Sequence, residues 1–227
     1  MPSAGAARVA GIAIMLGMVL APSSAGAADT ARPNGTLVVI GDSITSRYND
    51  IAGSPRRGMY SYLAEELGMV PVTFAESGSG FYRRGVDAGC AGTRYASRIT
   101  KAIASKPTVL LVEGGRNDYR GCTKRVTQTT TENYTRSFLR SLAIAADNSG
   151  LRRGDVYVQS PWGSSKAAEG KRIRPMIKKW AQYYRFTFIA GAPMGLADAP
   201  DGVHPDESGV QLLLAQVRRY SDLNERF

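Results

Sequence analysis

Histidine is almost absent from this chain: His204 is the only one among 227 residues. Chemistry that needs an imidazole as general base must therefore use His204. Cysteine is nearly as scarce. Cys90 and Cys122 are the two present, and scattered beside a single histidine they offer no spacing suited to a metal. No Walker A loop and no Gly-x-Gly-x-x-Gly dinucleotide fingerprint occurs, so the usual phosphate cradles are excluded. A Gly-x-Ser-x-Gly elbow is missing around Ser43, which argues against an α/β-hydrolase architecture. No internal repeat or low-complexity linker divides the chain.

What is present begins with a leader. Residues 1–27 carry a positive start with Arg8, an apolar stretch from Val9 to Leu20 and the small-residue exit Ala25-Gly26-Ala27. This is the layout of a secretory signal peptide, and its twelve apolar residues fall short of the roughly 20 that span a bilayer as a helix. Residues 28–227 are then the mature domain, about 200 residues, enough for one domain with its own core. Loss of Arg8 lowers the formal net charge from +10 by one, so the exported protein stays basic. Attraction to anionic envelope polymers is the expected consequence, with no specific nucleic-acid partner. The densest basic cluster, Lys171, Arg172, Arg174, Lys178 and Lys179, reads as a solvated helix face or a polyanion site. Export also places Cys90 and Cys122 where a disulfide persists.

Strand-length apolar runs cover Thr36–Ile40, Val70–Ala75, Thr108–Glu113, Asp155–Gln159 and Arg185–Ala190. The first and third are almost continuously apolar, as buried parallel strands are. Helical segments alternate with them: Tyr60–Leu67, Tyr95–Ala104, Glu132–Ala146 and a last one from about Asp206. The third is expected to open with a capping box, Thr129-x-x-Glu132, and to bury Tyr134, Phe138, Leu142 and Ala145. The fourth connection is ambiguous. Pro175 either breaks a regular helix or stands in the first turn of one reaching Tyr184. The last helix spaces Val210, Leu213, Leu214 and Val217 along one face. Strict alternation predicts a three-layer α/β/α sandwich around a five-stranded parallel sheet, flavodoxin-like, with its site at the carboxyl ends of the strands.

Four fragments fall at those ends. Gly41-Asp42-Ser43 follows the first run, Ser79-Gly80 the second and Gly115-Arg116-Asn117-Asp118 the third, while Asp201-Gly202-Val203-His204 precedes the last helix. A serine hydroxyl needs a base to take its proton, and the base works best with a carboxylate fixing its tautomer. Ser43, His204 and Asp201 supply that set, and Asn117 offers an amide toward a developing oxyanion. The backbone donor is Gly78 or Gly80, joined by the N–H of Ser43.

In this order the fragments resemble the SGNH (GDSL) hydrolase family, and the resemblance covers nearly all of the mature chain. It implies the catalytic triad Ser43, Asp201 and His204, with an oxyanion hole of Ser43, Gly80 and Asn117. It favours Gly80 over Gly78, although Ala75 stands where the family often has an asparagine. It also implies the strand order 2-1-3-4-5, in which a Cys90–Cys122 bridge would tie together the two loops bearing the oxyanion donors.

The function implied is that of a secreted serine esterase, lipase-like in family, acting on carboxylic esters. Short acyl or acetyl groups on a small molecule, a glycan or a lipid suit a domain without an obvious lid. No metal and no cofactor are called for, and a monomer is expected. One alternative is an acyltransferase of envelope glycans or glycolipids, and another is a catalytically silent module that binds anionic polymer. Arg83, Arg84 and Arg116 lie near the expected mouth, either selecting an anionic substrate or serving as solvated loop charges.

Overall fold

The computed structural model describes residues 34–46, 57–86, 89–119, 126–162, 168–195 and 197–223. All lie in the unit Pro33–Phe227. The expected signal peptide, residues 1–27, lies outside the described residues. Five parallel strands, β1 (Thr36–Gly41), β2 (Val70–Ala75), β3 (Val109–Glu113), β4 (Val156–Gln159) and β5 (Thr187–Ile189), form one sheet in the order β2-β1-β3-β4-β5. The helices are α1 (Ser43–Ser46), α2 (Met59–Glu66), α3 (Ile99–Ala104), α4 (Gln128–Ser149), α5 (Ala168–Tyr183) and α6 (Glu207–Tyr220).

Side chains alternate across a strand, so the apolar runs of the central strands serve two cores. Leu37, Val39, Val109, Leu111 and Tyr157 face α2 and α6, whereas Val38, Ile40, Leu110, Val112, Val156 and Val158 face α3, α4 and α5. The expected three-layer sandwich and strand order are thus observed. β2 lies at an edge, with Val70 47% exposed. Pro71 costs this strand no ladder bond. The Val70 N–H reaches across to the Gly35 carbonyl at 2.9 Å, so the next residue's nitrogen faces away from β1.

Four local expectations need correction. The cap of α4 is Thr127, whose hydroxyl accepts the Thr130 N–H at 3.1 Å; the Thr129-x-x-Glu132 box does not form, because Glu132 instead accepts from Lys179 at 2.7 Å and from the Trp180 indole at 3.1 Å. The buried face of α4 is rotated too. Thr131, Thr135, Phe138, Leu139, Leu142 and Ala146 are buried, while Tyr134 is 37% exposed and packs edge-on against Tyr82. Pro175 sits in the interior of α5. It lies on an exposed face of the helix. Finally β5 starts later than Arg185, because Arg185 takes φ +62° and closes α5 while Phe186 N–H bonds back to the Ala181 carbonyl at 2.9 Å.

Every strand end on one side leads into a segment described below: Ser43 follows β1, residues 76–83 follow β2, Arg116–Tyr119 follow β3, Trp162 follows β4, and residues 201–204 lie between β5 and α6. This is the side where the strand order switches, β1 being flanked by β2 and β3. Phe81, Tyr95 and Phe138 support it from below, with ring centroids 5.2 to 6.1 Å apart. Phe138→Ala should remove the central contact and cost about 3–5 kcal/mol. Equilibrium denaturant unfolding of the variant beside the wild type measures that loss.

Candidate active site

Ser43 opens α1 directly after β1, and Asp42 fixes the turn by accepting the Ile44 N–H at 2.9 Å. The serine is 7% exposed, and as first residue of a helix its own N–H has no intrahelical partner. Its Oγ lies 3.0 Å from His204 Nε2, and His204 Nδ1 lies 2.7 Å from Asp201 Oδ2. The other oxygen of Asp201 accepts the backbone N–H groups of Val203 at 2.8 Å and His204 at 2.6 Å. Partial desolvation pulls the Asp201 carboxyl upward, but these amide bonds and the imidazole outweigh it and hold the group well below the usual carboxylate range. Asp201 is therefore a fixed anion that can hold an imidazole in one tautomer. The three residues expected to meet do so.

The groups expected to form the oxyanion hole are more engaged. Asn117 donates its amide to Asp42 Oδ2 at 3.2 Å and to the Ser79 carbonyl at 3.0 Å. Gly80 N–H goes to the Arg83 carbonyl at 3.0 Å within its own loop. Gly78, buried at φ +75°, has an N–H without a partner among the described residues. Gly80 matters in another way. A Cβ there would run into the Asp118 carboxylate, which accepts three successive N–H groups, from Phe81 at 2.9 Å, Tyr82 at 2.7 Å and Arg83 at 2.9 Å. Gly114, at φ +131°, is needed likewise, since a side chain would meet the Tyr95 hydroxyl and Asp42.

Arg83, Arg84 and Arg116 each hold a backbone carbonyl with the guanidinium: that of Gly78 at 2.8 Å, Gly92 at 2.8 Å and Gly202 at 2.7 Å, respectively. Cys90 is buried, and no described cysteine is free. Cys122 lies outside the described residues.

The sequence reading missed a polar layer beneath Ser43. Asp42, Glu113 and Asp118 are buried there with Tyr95 and Arg98. Thr45 donates its hydroxyl to Glu113 at 2.7 Å, Tyr95 donates to the Glu113 carbonyl at 3.0 Å and Arg98 donates to the Gly41 carbonyl at 2.8 Å. Burial raises all three carboxyls. Asp42 reaches about 6 against the Ile44 N–H and the Tyr95 hydroxyl, and Asp118 about 6 against its three amides. Glu113 reaches about 7 against the Thr45 bond, with Asp42 adding to the rise. One signal was available: Glu113 is an acidic residue closing an otherwise apolar strand, where a buried charge must find partners. Among the described residues no group of acids, cysteines and histidine is arranged to hold a metal ion.

With this geometry in place, the chain belongs to the GDSL-like lipase/acylhydrolase family, whose sequence model matches residues 39–212. That membership makes it a hydrolase acting on esters. A GDSL-like lipase of Bacteroides thetaiotaomicron shares the fold with a TM-score of 0.59 at 16% identity, over 85% of this chain and 89% of that one. A carbohydrate esterase described as displaying divergent catalytic and non-catalytic binding functions aligns with a TM-score of 0.58 at 15% identity, over 85% and 71%. TesA aligns with 0.54 at 18% identity, over 82% and 97%. At such identities the likeness is one of fold. No curated protein sequence matches the chain.

The raised Glu113 has a consequence for stability. An acid whose folded pKa exceeds its unfolded value stabilises the fold below the unfolded value, and that contribution disappears as pH rises through the folded one. For Glu113 the window runs from 4.5 to about 7. Glu113→Gln keeps an oxygen for Thr45 and cannot ionise. Its Tm should fall less than the wild type's across that window, the remaining slope coming from Asp42 and Asp118. Thermal unfolding followed at several pH values checks this.

Proposed function

We propose that the protein is a secreted serine esterase that hydrolyses carboxylic esters through an acyl-enzyme on Ser43. The observation that carries the reading is the unbroken line from Ser43 Oγ to His204 Nε2 at 3.0 Å and from His204 Nδ1 to Asp201 at 2.7 Å. Ser43 attacks the ester carbonyl while His204 takes its proton, and Asp201 stabilises the imidazolium. The oxyanion is received by the N–H of Ser43, by Asn117, which releases one of its two acceptors to do so, and by an amide of the loop after β2. Family resemblance supports Gly80 for that last role; the unengaged N–H supports Gly78. His204 then protonates the leaving alcohol, and a water repeats the sequence to free the acid.

Short acyl groups fit best. Residues near the site that would have to stand out as an acyl groove are tied inward instead: Phe81 is 1% exposed, Tyr82 and Arg83 are held on Asp118, and Thr93 is held on Glu76. Export is supported by the layout of residues 1–27, and with it the Cys90–Cys122 bridge. Closing a loop of about 30 residues, the bridge would contribute roughly 3–4 kcal/mol by constraining the unfolded chain. The intact mass of unreduced exported protein should show both thiols oxidised, and two free thiols would overturn the bridge.

A series of p-nitrophenyl esters from acetyl to palmitoyl tests the activity. The mature protein should favour the short end. Ser43→Ala and His204→Ala should each lose on the order of 10⁴-fold or more in kcat, and Asn117→Ala roughly 10²–10³-fold. A folded wild-type protein that cleaves no ester in the series would overturn this reading and favour transfer to an alcohol acceptor.

A further inference from the structure

The segment Asp201–His204 is held from two sides. From within, the Asp201 carboxylate takes the N–H groups of Val203 and His204. From outside, Arg116 Nη2 donates to the Gly202 carbonyl at 2.7 Å, and the Trp162 indole N–H donates to the next carbonyl, that of Val203, at 3.1 Å. The two outer donors are themselves joined: the guanidinium carbon of Arg116 lies 4.6 Å from the Trp162 ring centroid. Trp162 is 7% exposed, so its N–H is committed to this bond rather than to water.

Resting on the reading of Ser43, His204 and Asp201 as the catalytic triad, we propose that Arg116 and Trp162 are positioning residues that clamp the catalytic histidine loop onto the ends of β3 and β4. The need for such a clamp follows from the fold. The loop follows a β5 of three residues, and the Asp201 side chain is 49% exposed, so little packing fixes it. The reacting distance nevertheless spans elements 161 residues apart, and a shift of about 1 Å can cost roughly 10²-fold in rate. Arg116 also adjoins Asn117. One short turn thereby sets the position of the imidazole and of the oxyanion amide relative to one another.

Only an arginine satisfies this geometry, because its planar fork donates while its face stacks on the indole. Arg116→Lys keeps the charge and loses the fork; Trp162→Phe keeps a stacking ring and loses the donor. Each variant, with Arg116→Ala, should lower kcat roughly 10–10²-fold with KM little changed. Millimolar guanidinium should restore part of the kcat of Arg116→Ala and none of that of Trp162→Phe. A second readout does not depend on turnover. His204 is the only histidine, so in ¹⁵N-histidine-labelled protein the downfield Nδ1–H resonance belongs to it alone. That signal should be sharp in the wild type and broadened in all three variants.

Wild-type kcat together with a sharp Nδ1–H signal in Arg116→Ala and Trp162→Phe would overturn the clamp. If the wild type cleaves no ester, the esterase reading fails separately, and the resonance still decides: broadening confined to the variants supports the clamp, while equal sharpness in all overturns it. Should Arg116→Ala not fold, Trp162→Phe carries the same comparison.

Discussion

Three carboxylates lie buried beneath Ser43, and much of the site is arranged around their need for hydrogen-bond donors. A carboxylate shut away from water is tolerated only with partners. Asp42 recruits the amide that starts α1 and the side chain of Asn117; Asp118 gathers three consecutive N–H groups from the loop after β2; Glu113 takes the hydroxyl of Thr45. Each bond satisfies an acid and, in doing so, fixes a segment that borders Ser43. The raised pKa values reflect how incompletely those donors offset burial. Net cost at the level of stability is thus linked to order at the level of the site, a trade common where function requires groups that packing alone would not choose.

The residues proposed as triad and those proposed as oxyanion donors are held differently. Ser43, His204 and Asp201 already stand at bonding distance, and Asp201 needs no substrate to stay ionised. Asn117 is held by two acceptors and Gly80 by Arg83. Substrate entry in the proposed reaction therefore exchanges existing hydrogen bonds on one side only. Such an exchange is weak in the ground state and stronger once charge develops on the carbonyl oxygen, which is the differential binding that accelerates a reaction.

Much of the fold was legible because burial on both faces of a parallel sheet writes itself as apolar runs, as in Leu37–Ile40 and Val109–Val112, and because Val210, Leu213, Leu214 and Val217 repeat at helical spacing. The meeting of Ser43 with His204, 3.0 Å apart, could be expected because a lone histidine leaves no competitor. Elsewhere the signal was local and the answer was not. Several threonines cluster at the start of α4 and each has the chemistry of a cap, but Glu132 was drawn away by Lys179 and Trp180, nearly 50 residues on. Asp42 and Asp118 carry no signal of burial, since nothing in one dimension distinguishes a turn on the surface from a turn under it. Arg116 read as a charge at a mouth. Its acceptor is a carbonyl 86 residues later, and backbone acceptors have no identity in sequence.

Pro71 has a meaning beyond its own strand. An edge strand offers its outward N–H groups to any other extended chain, and a parallel sheet with such an edge can grow by capturing a second molecule. In β2 the outward register begins with an imide nitrogen that has nothing to donate, next to a residue whose N–H is already spent on Gly35. Strand-by-strand association at this border lacks its first bond. An edge that does not template its neighbours keeps the sheet from growing, and a single imino acid placed out of the ladder provides it without loosening the sheet.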